Sequence, residues 1–102
     1  MTSTALFIIH HTKPGKREEV KKVWLKHMAP AIQNNSGHLA YFYSFDNNNQ
    51  DSICAFQHYE SEQAAKTFLS HPSYQAYLIE SRVLLEQEPQ IISLAPQWIK
   101  SA

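Results

Sequence analysis

The sequence predicts an α+β fold in which four strands and two helical regions follow one another as β-α-β-β-α-β. Three observations support this. Short runs rich in β-branched and aromatic residues recur as "ALFIIHHT", "HLAYFYSF", "SICAFQHY" and "QIISLA". Apolar residues at three- and four-residue spacing fill the stretches after the first and third runs. The second and third runs are separated only by "DNNNQD", which is turn chemistry and too short for a helix. This order is the split βαβ, or ferredoxin-like, arrangement: an antiparallel sheet with its helices on one face.

Ala5 to Thr12 is the first strand, apolar on both parities and expected to be buried on both faces, and "KPGK" ends it. Lys16 to about Asn34 reads as a helix, with Glu18 and Glu19 in its first turns, where carboxylates complement the helix dipole. Val20, Val23, Trp24, His27, Met28 and Ala31 make its core-facing stripe. Pro30 removes a backbone donor, so a kink or change of register is expected there. "NNSG" stops the helix, with Gly37 or an Asn suited to a left-handed cap.

His38–Phe45 and Ser52–Tyr59 follow as two strands joined by a loose loop. Ser61, Glu62 and Gln63 cap a second helix whose core face carries Ala64, Ala65, Phe68 and Leu69. Pro72 interrupts it, because the residue before a proline is pushed out of helical geometry. A further helical segment, about Ser73 to Leu85, carries Tyr74, Tyr77, Leu78 and Leu84. Gln90 to Ala95 is the last strand, and Trp98 and Ile99 in the tail need cover from somewhere.

The 102 residues are expected to form one domain, with its core at about 5–95 and a tail at 96–102. Nine basic and nine acidic residues cancel, and no Lys/Arg cluster would track a phosphate backbone, so no nucleic-acid partner is expected. No stretch approaches the roughly 20 apolar residues that span a bilayer, and "MTSTALFII" lacks the basic start of a signal peptide. A cytoplasmic location without membrane association is expected, in keeping with the single cysteine, Cys54. Six histidines raise the question of a metal. No two sit four apart on a helix and no His-x-His occurs, so no metal site is expected. The chain also lacks a Gly-x-Ser-x-Gly nucleophile motif and, with two glycines, a phosphate-cradling loop.

In the second strand Tyr41, Tyr43 and Phe45 share a parity with Leu39, while Ala40 and Phe42 take the other. With helices on one face only, the opposite face is left apolar and bare. Each such side chain is worth about 1.5–3 kcal/mol when fully buried, and an exposed patch of that size is an aggregation hazard. A homodimer with sheets stacked face to face is the economical expectation.

The sequence resembles the antibiotic biosynthesis monooxygenase superfamily over about Phe7 to Leu94. The resemblance lies in "TKPGK" after the first strand, in "SGHLAYFYSFD" after the first helix, in "FQHYESEQAAKTFLSHPSYQAY", and in a proline late in helix one. It implies a dimeric α+β barrel and a pocket between each sheet and its helices, where an aromatic substrate reacts with molecular oxygen without a cofactor. In haem-degrading relatives haem itself reacts. Some family positions differ here: the third strand commonly ends Glu-x-Trp, where this chain has Gln57 and Tyr59, and the Asn of the haem-degrading branch falls near Ile8.

The expected function is therefore cofactor-independent oxidation of a phenolic or quinol-type substrate by O2, with no cofactor. The alternative is a non-catalytic dimeric module that binds a small hydrophobic ligand or haem. A third reading is a relative whose pocket is filled by its own aromatic residues. Tyr59 is the candidate for stabilising charge on a substrate oxygen. His10 is the candidate proton acceptor, since an imidazole titrates near neutral pH. In antiparallel strands the two lie toward opposite ends. Trp24, His27, Met28, Gln57, Phe68, Tyr74 and Tyr77 are the expected substrate-binding residues.

Overall fold

A computed structural model describes residues 3–100. Strand β1 spans Thr4–His11, helix α1 Arg17–Gln33, strand β2 His38–Phe45 and strand β3 Ser52–Tyr59. Helices α2 (Glu62–Leu69) and α3 (Pro72–Ser81), a 3₁₀ turn at Arg82–Leu84 and strand β4 (Gln90–Leu94) complete the chain. The four strands form one sheet in the order β2-β3-β1-β4 with every neighbouring pair antiparallel, which is the expected ferredoxin-like topology.

The turn between β1 and α1 needs a glycine, because Gly15 sits at φ 76°, in the left-handed region. Its N–H donates to Asp51 Oδ1, and the neighbouring Arg17 guanidinium donates to the carbonyls of Asp46, Asn49 and Ser52. Arg17 also lies 4.0 Å over the Phe45 ring. The six-residue loop of the hairpin is thus tied to the start of α1. Within it, Asp46 and Asn49 side chains accept from the N–H groups of Asn48 and Asp51, as their residue types favour.

As expected, α1 runs through Pro30 to Gln33, and its last turn closes with Asn34 N–H on the Pro30 carbonyl and Asn35 N–H on Ile32. Several local expectations are corrected. No left-handed cap follows, since Asn34 lies at φ −96° and Gly15 alone has positive φ among the described residues. Gly37 is needed for space instead: a Cβ there would approach Ala64 Cβ to 3.2 Å, where the loop passes α2. The last helical segment begins one residue early, because Pro72 suits a first helical position. It also ends early, so that Leu85 leaves to bridge Thr12.

The sheet's inner face carries Leu6, Ile8 and His10 from β1, Ile53, Ala55, Gln57 and Tyr59 from β3, and the Tyr41 and Tyr43 rings from β2. Parity fails at one place. A register shift between His38 and Ala40 makes Leu39 a bulge, so Leu39 is 56% exposed while His38 joins Tyr41 on the helix side. The outer face presents Phe7, Ala40, Phe42, Phe56 and Leu94, and among the described residues the tail flanks it through Ala95, Pro96, Trp98 and Ile99. From Leu6 to His10 the inner face of β1 is buried, while Phe7, Ile9 and His11 on its outer face are half-buried and Ala5 is buried. β4 is exposed along its whole length. Among the described residues no helix is long and apolar enough to cross a membrane.

Candidate functional site

The space between sheet and helices closes around an aromatic chamber. Trp24 and Met28, one turn apart on α1, form its roof, and Tyr74 and Tyr77 of α3 form one side. Its floor is Ile8 and His10 of β1, Ala55 of β3, and Tyr41 and Tyr43 of β2. Ala55 lies in register between Ile8 and Tyr43, so the smallest side chain stands at the centre of the floor. The free volume is about 10 Å³, room for roughly one water molecule and no more.

The polar groups of the chamber come almost entirely from aromatic rings. His10 Nε2 and the Tyr77 hydroxyl are 2.6 Å apart, and both residues are buried. Trp24 stacks on Tyr43 with centroids 4.2 Å apart, and its Nε1–H donates to the Tyr41 hydroxyl at 3.3 Å. The Tyr43 hydroxyl and His10 Nδ1 are buried without partners, as is Ser81 Oγ one turn beyond Tyr77. Desolvation pushes the Tyr41, Tyr43 and Tyr77 hydroxyls well above the usual phenol range, with the neighbouring tyrosines adding to the effect. They are therefore neutral donors. Burial lowers His10 to about 4, against a weaker upward pull from the Ile9 backbone. The sequence expectation of an imidazole titrating near neutral pH is thereby corrected: this ring is neutral at pH 7.

A second cluster occupies the other end of the sheet. The Tyr59 hydroxyl donates to Gln57 Oε1 at 2.5 Å, two residues away on the same strand face. His38 packs 4.3 Å from Tyr59 and meets Phe68 edge-to-face at 4.5 Å. Asn35 Oδ1 accepts from Gly37 N–H, which turns its amide nitrogen toward His38 Nδ1 at 2.8 Å. The ring proton then sits on Nε2, and the perpendicular packing suits an N–H directed at an aromatic face. Burial also lowers His38 to about 4.

The structure thus divides the residues singled out in the sequence. His10, Trp24, Met28, Tyr74 and Tyr77 meet in the chamber. Tyr59, Gln57 and Phe68 meet in the second cluster: Tyr59 pairs with Thr4 and His10 with Ile53, so six residues of β1, about 20 Å of strand, separate the Tyr59 and His10 positions, while Tyr41 adjoins both clusters. His27 does not face the core. Its Nε2 lies 2.7 Å from Glu80 Oε1, and Lys26 reaches the same carboxylate at 3.1 Å, tying α1 to α3 at the surface. The His27 bond, with Lys26 second, holds the Glu80 carboxyl below its ordinary value. Tyr41 and Tyr43 are chamber residues that sequence reasoning did not single out; their shared parity on β2 was the available signal. Among the described residues no three His, Cys, Asp or Glu side chains cluster as metal ligands.

Known structures share this architecture. A candidate antibiotic biosynthesis monooxygenase from Chloroflexus aurantiacus superposes with a TM-score of 0.80 at 20% identity, covering 98% of each chain. One from Caulobacter crescentus gives 0.86 at 20% identity, covering 93% of this chain and 90% of that one. Rv0793 from Mycobacterium tuberculosis gives 0.86 at 19% identity, covering 98% and 100%. At such identities these likenesses establish the fold. No curated protein matches the chain. The model of the antibiotic biosynthesis monooxygenase family matches residues 7–78, which include most of the sheet, α1, α2, the greater part of α3 and every chamber residue. The chain belongs to the antibiotic biosynthesis monooxygenase family.

Proposed function

We propose that this protein is a cofactor-independent monooxygenase that oxidises a phenolic or quinol-type aromatic with O2 in the chamber beneath α1 and α3. Family membership supports the reaction class. The observation that carries the chamber assignment is the buried His10–Tyr77 pair beside partnerless polar atoms of His10 and Tyr43. Buried polar atoms in folded proteins nearly always have partners, and a substrate oxygen would supply the missing ones.

The chemistry needs no external reductant. A hydroquinone converted to a hydroxyquinone supplies every electron that O2 consumes; one oxygen atom enters the ring and the other leaves as water. The protein contributes a dry enclosure and hydrogen bonds where charge develops. An imidazole held at about 4 is a weak base toward a phenol titrating near 10. His10 therefore polarises the substrate hydroxyl and takes its proton only as electron density leaves for oxygen. Trp24, Met28, Tyr74 and Tyr77 contact the ring, and the half-buried Trp24 indole moves aside to admit it. Tyr59, with its hydroxyl held by Gln57, supports the strand end together with Phe68, and His27, held by Glu80, lies outside the chamber.

Oxygen uptake with a panel of hydroquinones and polycyclic phenols tests this. Uptake above the protein-free rate, reduced at least about tenfold in His10→Ala, is expected. Uptake equal to the protein-free rate with every phenol would overturn it.

One observation favours a second reading. A free volume of about 10 Å³ holds no substrate as it stands, which favours the reading of a relative whose pocket is filled by its own aromatic residues. Absence of oxygen uptake on phenols together with absence of a Soret shift on adding haem would support that reading.

The proposed partner is a second copy of the chain. The outer sheet face and tail enclose an apolar groove of about 530 Å³ that includes Phe42, Phe56, Leu94 and Trp98. Phe42 is 62% and Trp98 82% exposed, and a stacked second sheet would bury both. A cytoplasmic location is in keeping with one unpaired cysteine.

A further inference from the structure

From the register of the sheet we infer that Ala55 is the residue that determines which ring sizes the chamber accepts. A ring that displaces the Trp24 indole comes to rest on the Ala55 methyl, and the small side chain there sets the depth available to it. The inference rests on the proposed reading of the chamber as the substrate site.

The floor of the chamber is a cross-strand row in which Ala55 of β3 pairs with Ile8 of β1 on one side and with Tyr43 of β2 on the other. Along β3 its neighbours on the same face are Ile53 and Gln57, both buried. All four neighbours carry side chains that extend well beyond Cβ, whereas the Ala55 side chain ends there. A buried position in a central strand ordinarily takes a β-branched or aromatic residue, which packs on its cross-strand neighbours. Alanine leaves a dent instead. The dent belongs to the chamber, because Ala55 lines the free volume while Ile53 and Gln57 do not.

What stands over the dent can move. Met28 is unbranched and adaptable. Trp24 is half-buried, held by its stack on Tyr43 and by one 3.3 Å hydrogen bond to the Tyr41 hydroxyl. The floor cannot respond in the same way, because Ile8 and Ala55 belong to β1 and β3, the two central strands, which pair with each other along their whole length. Displacement of the roof therefore decides whether a ring enters, and the fixed floor decides how far. In close-packed surroundings even one methylene is felt, and in an apolar binding pocket it changes discrimination about 10–200-fold. Ala55→Val puts two more carbons into the centre of the floor. A single ring has room to shift away from them, and a fused pair of rings does not.

Two measurements test the inference. The first needs no substitution: the wild-type protein with ¹³C-labelled alanine and methionine methyls is titrated with 2-naphthol. NOEs from the ligand's ring protons to the methyls of Met28 and Ala55 are expected. An NOE to Met28 without one to Ala55 overturns the inference and leaves the chamber as the ligand site. NOEs to neither, or no binding at all, overturn the chamber reading and the inference with it. The second is calorimetric titration with 2-naphthol and with phenol, which lacks the second ring. Ala55→Val is expected to lower the ratio of 2-naphthol to phenol affinity at least about tenfold. Ala65→Val crowds the core on α2 away from the chamber and is expected to leave that ratio within about twofold of wild type. A ratio that Ala55→Val leaves unchanged, or that both variants lower alike, overturns the inference alone.

Discussion

The Tyr59 hydroxyl donates to Gln57 Oε1 across 2.5 Å, which commits the Tyr59 proton to a partner on its own strand rather than to the chamber. Both are buried, so neither group has water as a substitute partner. Tyr59→Phe leaves the Gln57 oxygen unpaired and is expected to cost about 1–3 kcal/mol of unfolding free energy. Oxygen uptake should change less than about twofold. Urea titration paired with the uptake assay checks this, and a large loss of turnover with unchanged stability would return Tyr59 to the site.

Trp24 is the roof of the chamber and its main packing element on that side. Trp24→Phe keeps a ring over Tyr43 but removes the N–H that holds the Tyr41 hydroxyl, for an expected loss of about 1 kcal/mol. Trp24→Ala removes the roof, with an expected loss of about 3–5 kcal/mol. The cavity it opens should bind 2-naphthol faster, as stopped-flow measurement of the association rate would register.

Acid should destabilise the fold through its buried imidazoles. His10 titrates at about 4 in the folded chain against 6.5 as its ordinary value. Between those values the unfolded chain binds more protons, so stability is complete above about pH 6.5 and falls as pH drops toward 4. For His10 the loss approaches about 3 kcal/mol, and His38 contributes in the same direction. Urea midpoints at pH 7.5, 5.5 and 4.5 should fall in that order. His10→Gln, which keeps an acceptor for Tyr77, should flatten the dependence.

The outer face predicts its own variant. Phe42→Lys places a charge on the outer sheet face, at a side chain that is 62% exposed in the groove shared with Trp98. Light scattering behind a sizing column should report a dimer for the wild type and a monomer for the variant. A monomeric wild type at micromolar concentration would contradict the stacked-sheet assembly.

Element order was legible because alternation, turn residues and proline positions agreed with one another. Side-chain direction was less so. Apolar residues on both parities of β2 concealed which face met the helices, and the bulge at Leu39 moved His38 to the same face as Tyr41. His27 fell on the helical stripe by spacing, yet Glu80 on α3 holds it at the surface. The family's pattern directed attention to Tyr59 and Gln57 at the end of β3, while Tyr41 and Tyr43, which line the cavity beside the expected Trp24, Tyr74 and Tyr77, went unmarked. Tyr77 meets His10 across 67 residues of sequence, a proximity that no local spacing encodes.

Incorporation of ¹⁸O from ¹⁸O2 into a hydroquinone substrate tests the central claim most directly. The account predicts a hydroxyquinone carrying one labelled oxygen atom, formed faster than in buffer and at least about tenfold more slowly with His10→Ala. Unlabelled product, or label entering no faster than without protein, would contradict it.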